Sequence, residues 1–119
     1  MYVGGKMSYN QVVVINSEIM GKGSDELGKT LLGAFLRKLW ASDTKPDAIV
    51  FYNAGVKLLA RGSEVVDALT ALSDLGVDLL ACGTCLKYYA LEDALLVGRI
   101  SNMEEIVGEL VHAATVITI

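Results

Sequence analysis

The sequence predicts an α/β fold of three layers, with a five-stranded, mostly parallel sheet covered by helices on both faces. Three observations lead there. Short β-branched or apolar runs alternate with segments whose apolar residues recur at three- and four-residue spacing. The runs end in asparagine or in glycine-containing turns. A chain of 119 residues with 53% hydrophobic content and a mean hydropathy of +0.47 holds one core and one domain, with no room for a second.

Taken in order, residues 1–10 form an N-terminal extension, and residues 1–6, containing Gly4 and Gly5 and no periodicity, have the character of an expression remnant. Residues 11–119 make the domain. The run 11–16 is β-branched and closes on Asn16, which suits a buried first strand. Ser24 followed by Asp25 and Glu26 is an N-cap with acidic residues in the first turn. Leu27, Leu31, Leu32, Phe35, Leu36 and Leu39 then line one face of a helix that reaches about Trp40. Residues 43–46 break it.

Residues 47–53 are a second strand, again ending in asparagine, and 54–59 a turn or short helical piece. Ser63 caps a helix carrying Val65, Val66, Leu69 and Leu72, which Gly76 stops. The third strand, 77–81, leads into a helix starting near Thr84. Residues 96–100 form a fourth strand weakened by Gly98. Ser101 or Asn102 caps a last helix with Ile106, Val107, Leu110 and Val111, and 115–119 is the fifth strand. The alternation sets the layers and leaves the order of strands in the sheet open.

The surplus of apolar residues fits strands buried on both faces and a homo-oligomeric interface. No run approaches the ~18 apolar residues of a membrane span, and no secretory apolar core is present, so a cytoplasmic location without a membrane partner is expected. A net charge of −4 with scattered Lys and Arg offers no basic stripe to nucleic acid.

The chemistry gathers at 82–85, Cys-Gly-Thr-Cys, where a strand gives way to a helix at the edge of the sheet that open α/β proteins use for ligands. Only a thiolate attacks sulfur or carbon, and the free N–H groups of a helix N-terminus stabilise one. Two thiols at this spacing can close a disulfide, so an attack by one can be resolved by the other: Cys82 and Cys85 form a dithiol, or one of them holds sulfane sulfur as a persulfide. Gly83 allows a tight turn, Thr84 opens the helix, and Lys57, Arg61 and Lys87 are sources of positive potential. Asn16 and Asn53 end strands at the same edge, Gly55 follows in the turn after Asn53, and one of Tyr88 and Tyr89 borders the site while the other packs inward. A zinc half-site would need two more ligands, of which the sequence offers only His112, and two cysteines packed as small hydrophobes remain a further reading. No cofactor or metal is expected.

Residues 23–30, Gly-Ser-Asp-Glu-Leu-Gly-Lys-Thr, match the phosphate-loop pattern letter for letter. The context opposes it: Asp25 and Glu26 would face phosphate, Leu27 already belongs to the helix face, and the second strand ends in Asn53 without an aspartate for magnesium. Gly28 and Lys29 are therefore expected to be ordinary helix residues.

The stretches GKGSDELG at 21–28, NAGVKL at 53–58, CGTCLKYY at 82–89 and VGRISNM at 97–103 resemble the DsrE/DsrF-like family, and within it the DsrE-like half of YedF-type proteins. The resemblance implies a five-stranded parallel sheet, assembly into trimers or hexamers, and a cysteine at the active turn. In sulfur-relay relatives that cysteine, matched here by Cys82, holds sulfur as a persulfide and passes it to another protein, while Cys85 is the extra cysteine of a C-G-x-C subgroup. The YedF type implies SirA/TusA-like partners and a link by name to selenium metabolism. Many relatives continue with Ala-Arg-Gly where this chain has Tyr88-Tyr89-Ala90. The expected function is thus a sulfur carrier or sulfurtransferase-like protein, the cargo being sulfur or selenium, with a binding scaffold as the rival from another class.

Overall fold

In the computed structural model, the described residues are 10–119 together with the backbone of Tyr2–Val3 (β1) and Lys6–Met7 (β2), which pair antiparallel apart from the main sheet. The rest of the expected remnant and extension lies outside the described residues. The main sheet comprises β3 (Gln11–Ile15), β4 (Ala48–Phe51), β5 (Asp78–Cys82), β6 (Arg99–Ser101) and β7 (Thr115–Thr118). They run in the order β6-β5-β4-β3-β7, and every pairing is parallel.

Four α-helices connect them: α1 (Asp25–Ala41), α2 (Val66–Asp74), α3 (Gly83–Tyr88) and α4 (Met103–His112), with a 3₁₀ segment over Asn53–Leu59. The chain steps one strand at a time from β3 to β6, so right-handed crossovers put α1, α2 and α3 on one face. The return from β6 to β7 runs the other way and carries α4 across the opposite face, which completes the three layers. Val12 to Ile15 and Ala48 to Phe51 are buried throughout, as strands covered on both faces must be.

Three predicted caps agree with the sequence. Ser24 Oγ accepts the Leu27 N–H at 3.1 Å at the head of α1. Gly76, at φ +96, ends α2 by donating to Ser73 O at 2.9 Å. Asn102, of the two candidates, caps α4 by accepting the Glu105 N–H at 2.8 Å.

Four expectations need correction. The buried stripe of α1 runs through Gly28, Leu32, Gly33 and Leu36, leaving Leu27 56% exposed and Leu31 exposed as well. Gly28 is no ordinary helix residue: a Cβ there would meet Ile19 Cβ at 2.7 Å, and its carbonyl accepts the Met20 N–H at 3.0 Å, so the loop after β3 lies directly on the helix. Ser63 caps a turn, its Oγ accepting the Val65 N–H at 3.2 Å, and α2 begins only at Val66. The fourth strand starts at Arg99 because Gly98, at φ +84, packs where a Cβ would sit 2.9 Å from Leu79 O.

Register decides where the chemistry can lie. Ile15 pairs with Phe51, Phe51 with Ala81 and Cys82 with Ser101, so the carboxyl ends of β3, β4 and β5 come level. Asn16, Asn53 and Cys82 therefore share one edge of the sheet.

Candidate functional site

Cys82 is the last residue of β5 and the N-cap of α3. The next residue must be small. A Cβ on Gly83 would lie 2.9 Å from Ser101 O and 3.2 Å from Ile100 Cγ2, so glycine lets α3 begin hard against β6. Cys85 follows within the first turn of α3, and both cysteines are free thiols.

The two sulfurs differ in access. Cys82 is 1% exposed and belongs to the core, whereas Cys85 is half-buried. Within the single chain, strand burial and the close approach of β6 cover Cys82. Cys85 is the thiol a reactant can approach.

A second element closes over Cys85. Asn53 has a left-handed backbone, φ 50, which asparagine tolerates better than most residues. It aims its N–H at Cys85 Sγ, 3.0 Å away. Its side-chain Oδ1 accepts the Tyr89 hydroxyl at 2.7 Å. Gly55 makes this placement possible, since a Cβ there would fall 2.1 Å from Ile15 O and 3.3 Å from Asn16 Cα. Asn16 enters the site through this backbone contact of the 3₁₀ segment with the end of β3.

Tyr89 caps α3, its N–H donating to Cys85 O at 3.1 Å, so it stands one turn beyond the thiol. Lys57 Nζ lies 4.4 Å over its ring centroid and 3.8 Å from Glu18 Oε2. Of the two tyrosines, Tyr89 is therefore the one that joins the site. Tyr88, 83% exposed, touches it only through an edge-on ring contact at 5.2 Å. Thr84 and Lys87 are exposed on α3, and their side chains make no hydrogen bond or ion pair among the described residues. The spacing of Tyr89 four residues after Cys85 was the available signal for its role.

The electrostatics run against a simple helix-terminus picture. Burial pushes the Cys85 thiol above its ordinary value, and its hydrogen bond with Cys82 pushes the same way, while the Asn53 N–H pulls down against both. Cys85 therefore keeps its proton longer than a free thiol. Among the described residues no third His, Cys, Asp or Glu joins the pair to hold a metal, and His112 lies on α4 with Nδ1 2.8 Å from Gly108 O.

Beside the cysteine turn lies a cavity of about 380 Å³, whose lining includes Glu18, Lys29, Lys57, Arg61, Glu64 and Tyr89. Sequence reasoning weighed Lys29 only inside the phosphate-loop string. In the structure the hydroxyl of Ser24, in that same string, is engaged as a helix cap, and Lys29 sits a turn into α1. No helix is long and apolar enough to cross a membrane among the described residues.

The model of the DsrE/DsrF-like family matches residues 12–119. No curated protein matches the chain. Among solved structures, MTH1491 from Methanobacterium thermoautotrophicum, a protein of unknown function, is 27% identical at a TM-score of 0.68, covering 94% of this chain and 100% of that one. The ychN protein from E. coli is 20% identical at a TM-score of 0.65, with 95% and 100% covered. BT1422 from Bacteroides thetaiotaomicron, also of unknown function, is 14% identical at 0.65, with 92% and 95% covered. These last two likenesses concern the fold.

Proposed function

The chain belongs to the DsrE/DsrF-like family, and on that premise we propose that it carries sulfane sulfur as a persulfide on its Cys82–Cys85 pair. One observation bears most of the weight: a half-buried free thiol, Cys85, accepts a main-chain N–H from Asn53 at 3.0 Å with a second free thiol in hydrogen-bonding contact. A fixed N–H donor beside a sulfur stabilises negative charge there, whether on a thiolate or on a persulfide.

The chemistry proceeds in balanced steps. The Cys85 thiolate attacks the outer sulfur of a persulfide donor, the donor's S–S bond breaks, and the donor leaves as a thiolate that takes up a proton. An acceptor nucleophile later removes that outer sulfur and restores the Cys85 thiolate. If no acceptor arrives, Cys82 attacks Cys85 Sγ, expels hydrosulfide and leaves a disulfide that a dithiol reductant reopens. The resemblance gives Cys82 the carrier role; the exposure of the two sulfurs favours Cys85 as first acceptor and Cys82 as resolving thiol.

The working form is a homo-oligomer in this reading. Its support is an apolar stripe of Met103, Val107 and Val111 along the outer side of α4.

The test is intact-protein mass spectrometry after incubation with inorganic polysulfide. A gain of one sulfur that survives Cys82→Ser and vanishes in Cys85→Ser is the expected result. Loss in Cys82→Ser alone reverses the two roles, and a gain indifferent to both substitutions removes the proposal.

A further inference from the structure

We propose that the cavity beside Tyr89 binds the body of a small, carboxylate-bearing organic persulfide and presents its outer sulfur to Cys85. The inference rests on the reading of Cys85 as a sulfur acceptor and adds to it the class of donor.

Charge is the first observation. Three cations, Lys29, Lys57 and Arg61, line the cavity against two carboxylates, Glu18 and Glu64. Among the described residues only the Lys57 cation is engaged, with Glu18 at 3.8 Å and the Tyr89 ring beneath it. Lys29 and Arg61 make no ion pair or side-chain hydrogen bond among the described residues. Two unpaired cations on one concave wall match a ligand with carboxylates, and the two glutamates match an ammonium group on the same molecule.

Position is the second. Tyr89 and Lys57 belong both to the cavity wall and to the cysteine turn. The Tyr89 hydroxyl bonds Asn53 at 2.7 Å, and Asn53 bonds Cys85 at 3.0 Å, so the cavity is two hydrogen bonds from the sulfur. Cys85 and Tyr89 stand one helical turn apart, roughly 5–6 Å along α3.

Size is the third. A volume of about 380 Å³ lies within the range of sites for small organic molecules, and far exceeds the needs of sulfide or thiosulfate. In the transfer itself the Cys85 thiolate attacks the outer sulfur of R–S–SH, the R–S bond to that sulfur breaks, and R–S⁻ departs from the cavity and is protonated. No external oxidant or reductant enters.

Two measurements on the full chain test this. In calorimetric titration with S-methylglutathione, a probe that cannot transfer sulfur, saturable binding should weaken at least tenfold in Arg61→Ala and in Lys29→Ala. In sulfur loading followed by mass spectrometry, glutathione persulfide should load Cys85 at least tenfold more slowly in Arg61→Ala, with loading by inorganic polysulfide unchanged. If both donors load at rates indifferent to Arg61 and the probe does not bind, the cavity proposal falls and the carrier reading stands. If neither donor loads a cysteine while the probe binds through Arg61, the carrier reading falls and the cavity remains a site. Tighter binding of ATP than of S-methylglutathione would overturn the ligand class in favour of a phosphate ligand.

Discussion

Asn53 and Cys85, thirty-two positions apart in sequence, meet as a main-chain N–H and a sulfur 3.0 Å apart. The donor belongs to the backbone, so side-chain changes that preserve the backbone should preserve it. Asn53→Gly keeps a left-handed φ without strain and is expected to leave Cys85 alkylation by iodoacetamide within twofold of the parent. Asn53→Ala should lower stability by about 1 kcal/mol through backbone strain and slow alkylation as the N–H turns away. Equal alkylation rates in both variants would count against the backbone donor.

The Cys82–Cys85 pair should show itself in a pH profile. Burial and the Cys82 hydrogen bond raise the Cys85 thiol above 9.0, and the reactive thiolate accumulates only as pH climbs through that raised value. Alkylation should therefore keep rising beyond pH 9. In Cys82→Ala the contribution of the neighbouring sulfur is gone while the Asn53 N–H stays, so the profile should move to lower pH. A profile that levels off below pH 9 in the parent, or moves upward in the variant, contradicts the assignment.

How far the site could be read from the sequence depends on which kind of contact built it. Ser24 and Gly76 announced their roles because capping is local chemistry carried by residue type. The cysteine spacing and its place at a strand-to-helix turn were local in the same sense. The burial of Cys82 was not, since it comes from β6 lying against Gly83 and from the register of Cys82 with Ser101. Leu27 looked like a core residue by periodicity, yet Gly28 rather than a large side chain faces the loop, because close backbone approach outweighed apolar area there. Tyr89 and Lys57 come together from separate elements, and nothing local to either names the other.

Gly55 offers a steric prediction. A methyl group there would fall 2.1 Å from Ile15 O, a main-chain atom within the buried sheet that cannot step aside cheaply. Gly55→Ala should cost about 3 kcal/mol or more in urea unfolding, beyond the usual range for a surface change. Because the 3₁₀ segment carries Asn53, the same variant should also disturb the Asn53 N–H bond to Cys85, which pulls the thiol down, and slow Cys85 alkylation as Asn53→Ala does. An unchanged midpoint would mean that the segment does not sit on β3 as described.

At the amino-terminal end of β5 and β6, Arg99 forks between Asp78, at 2.9 and 3.0 Å, and Glu105, at 2.8 and 2.9 Å. Arg99 and then Ser101, both hydrogen-bonded to Glu105, hold its carboxyl below the ordinary 4.5. A depressed folded pKa contributes stability that is fully present above the unfolded value and is lost as pH falls through the folded one. Acid unfolding should therefore steepen below pH 4.5. In Arg99→Met that part of the pH dependence should flatten, and an identical acid limb in both proteins would remove Arg99 as its cause.

The outer side of α4 supplies the last prediction. Met103, Val107 and Val111 recur every four residues and are about half exposed or more, at 51%, 50% and 71%, on a helix whose inner face is anchored by the fully buried Ile106. β7, the end strand of the sheet, adds Val116 and Ile117, both partly exposed. In an isolated chain a charge at position 107 or 111 would meet water and alter stability by no more than about 0.5 kcal/mol. Across an interface between copies the same charge is buried without a partner and separates them. Val107→Glu and Val111→Glu should accordingly reduce the mass measured by light scattering to that of a single chain, with the unfolding midpoint of that chain retained. A parent protein that already runs as a monomer, or an assembly untouched by both substitutions, would show that copies do not meet through α4.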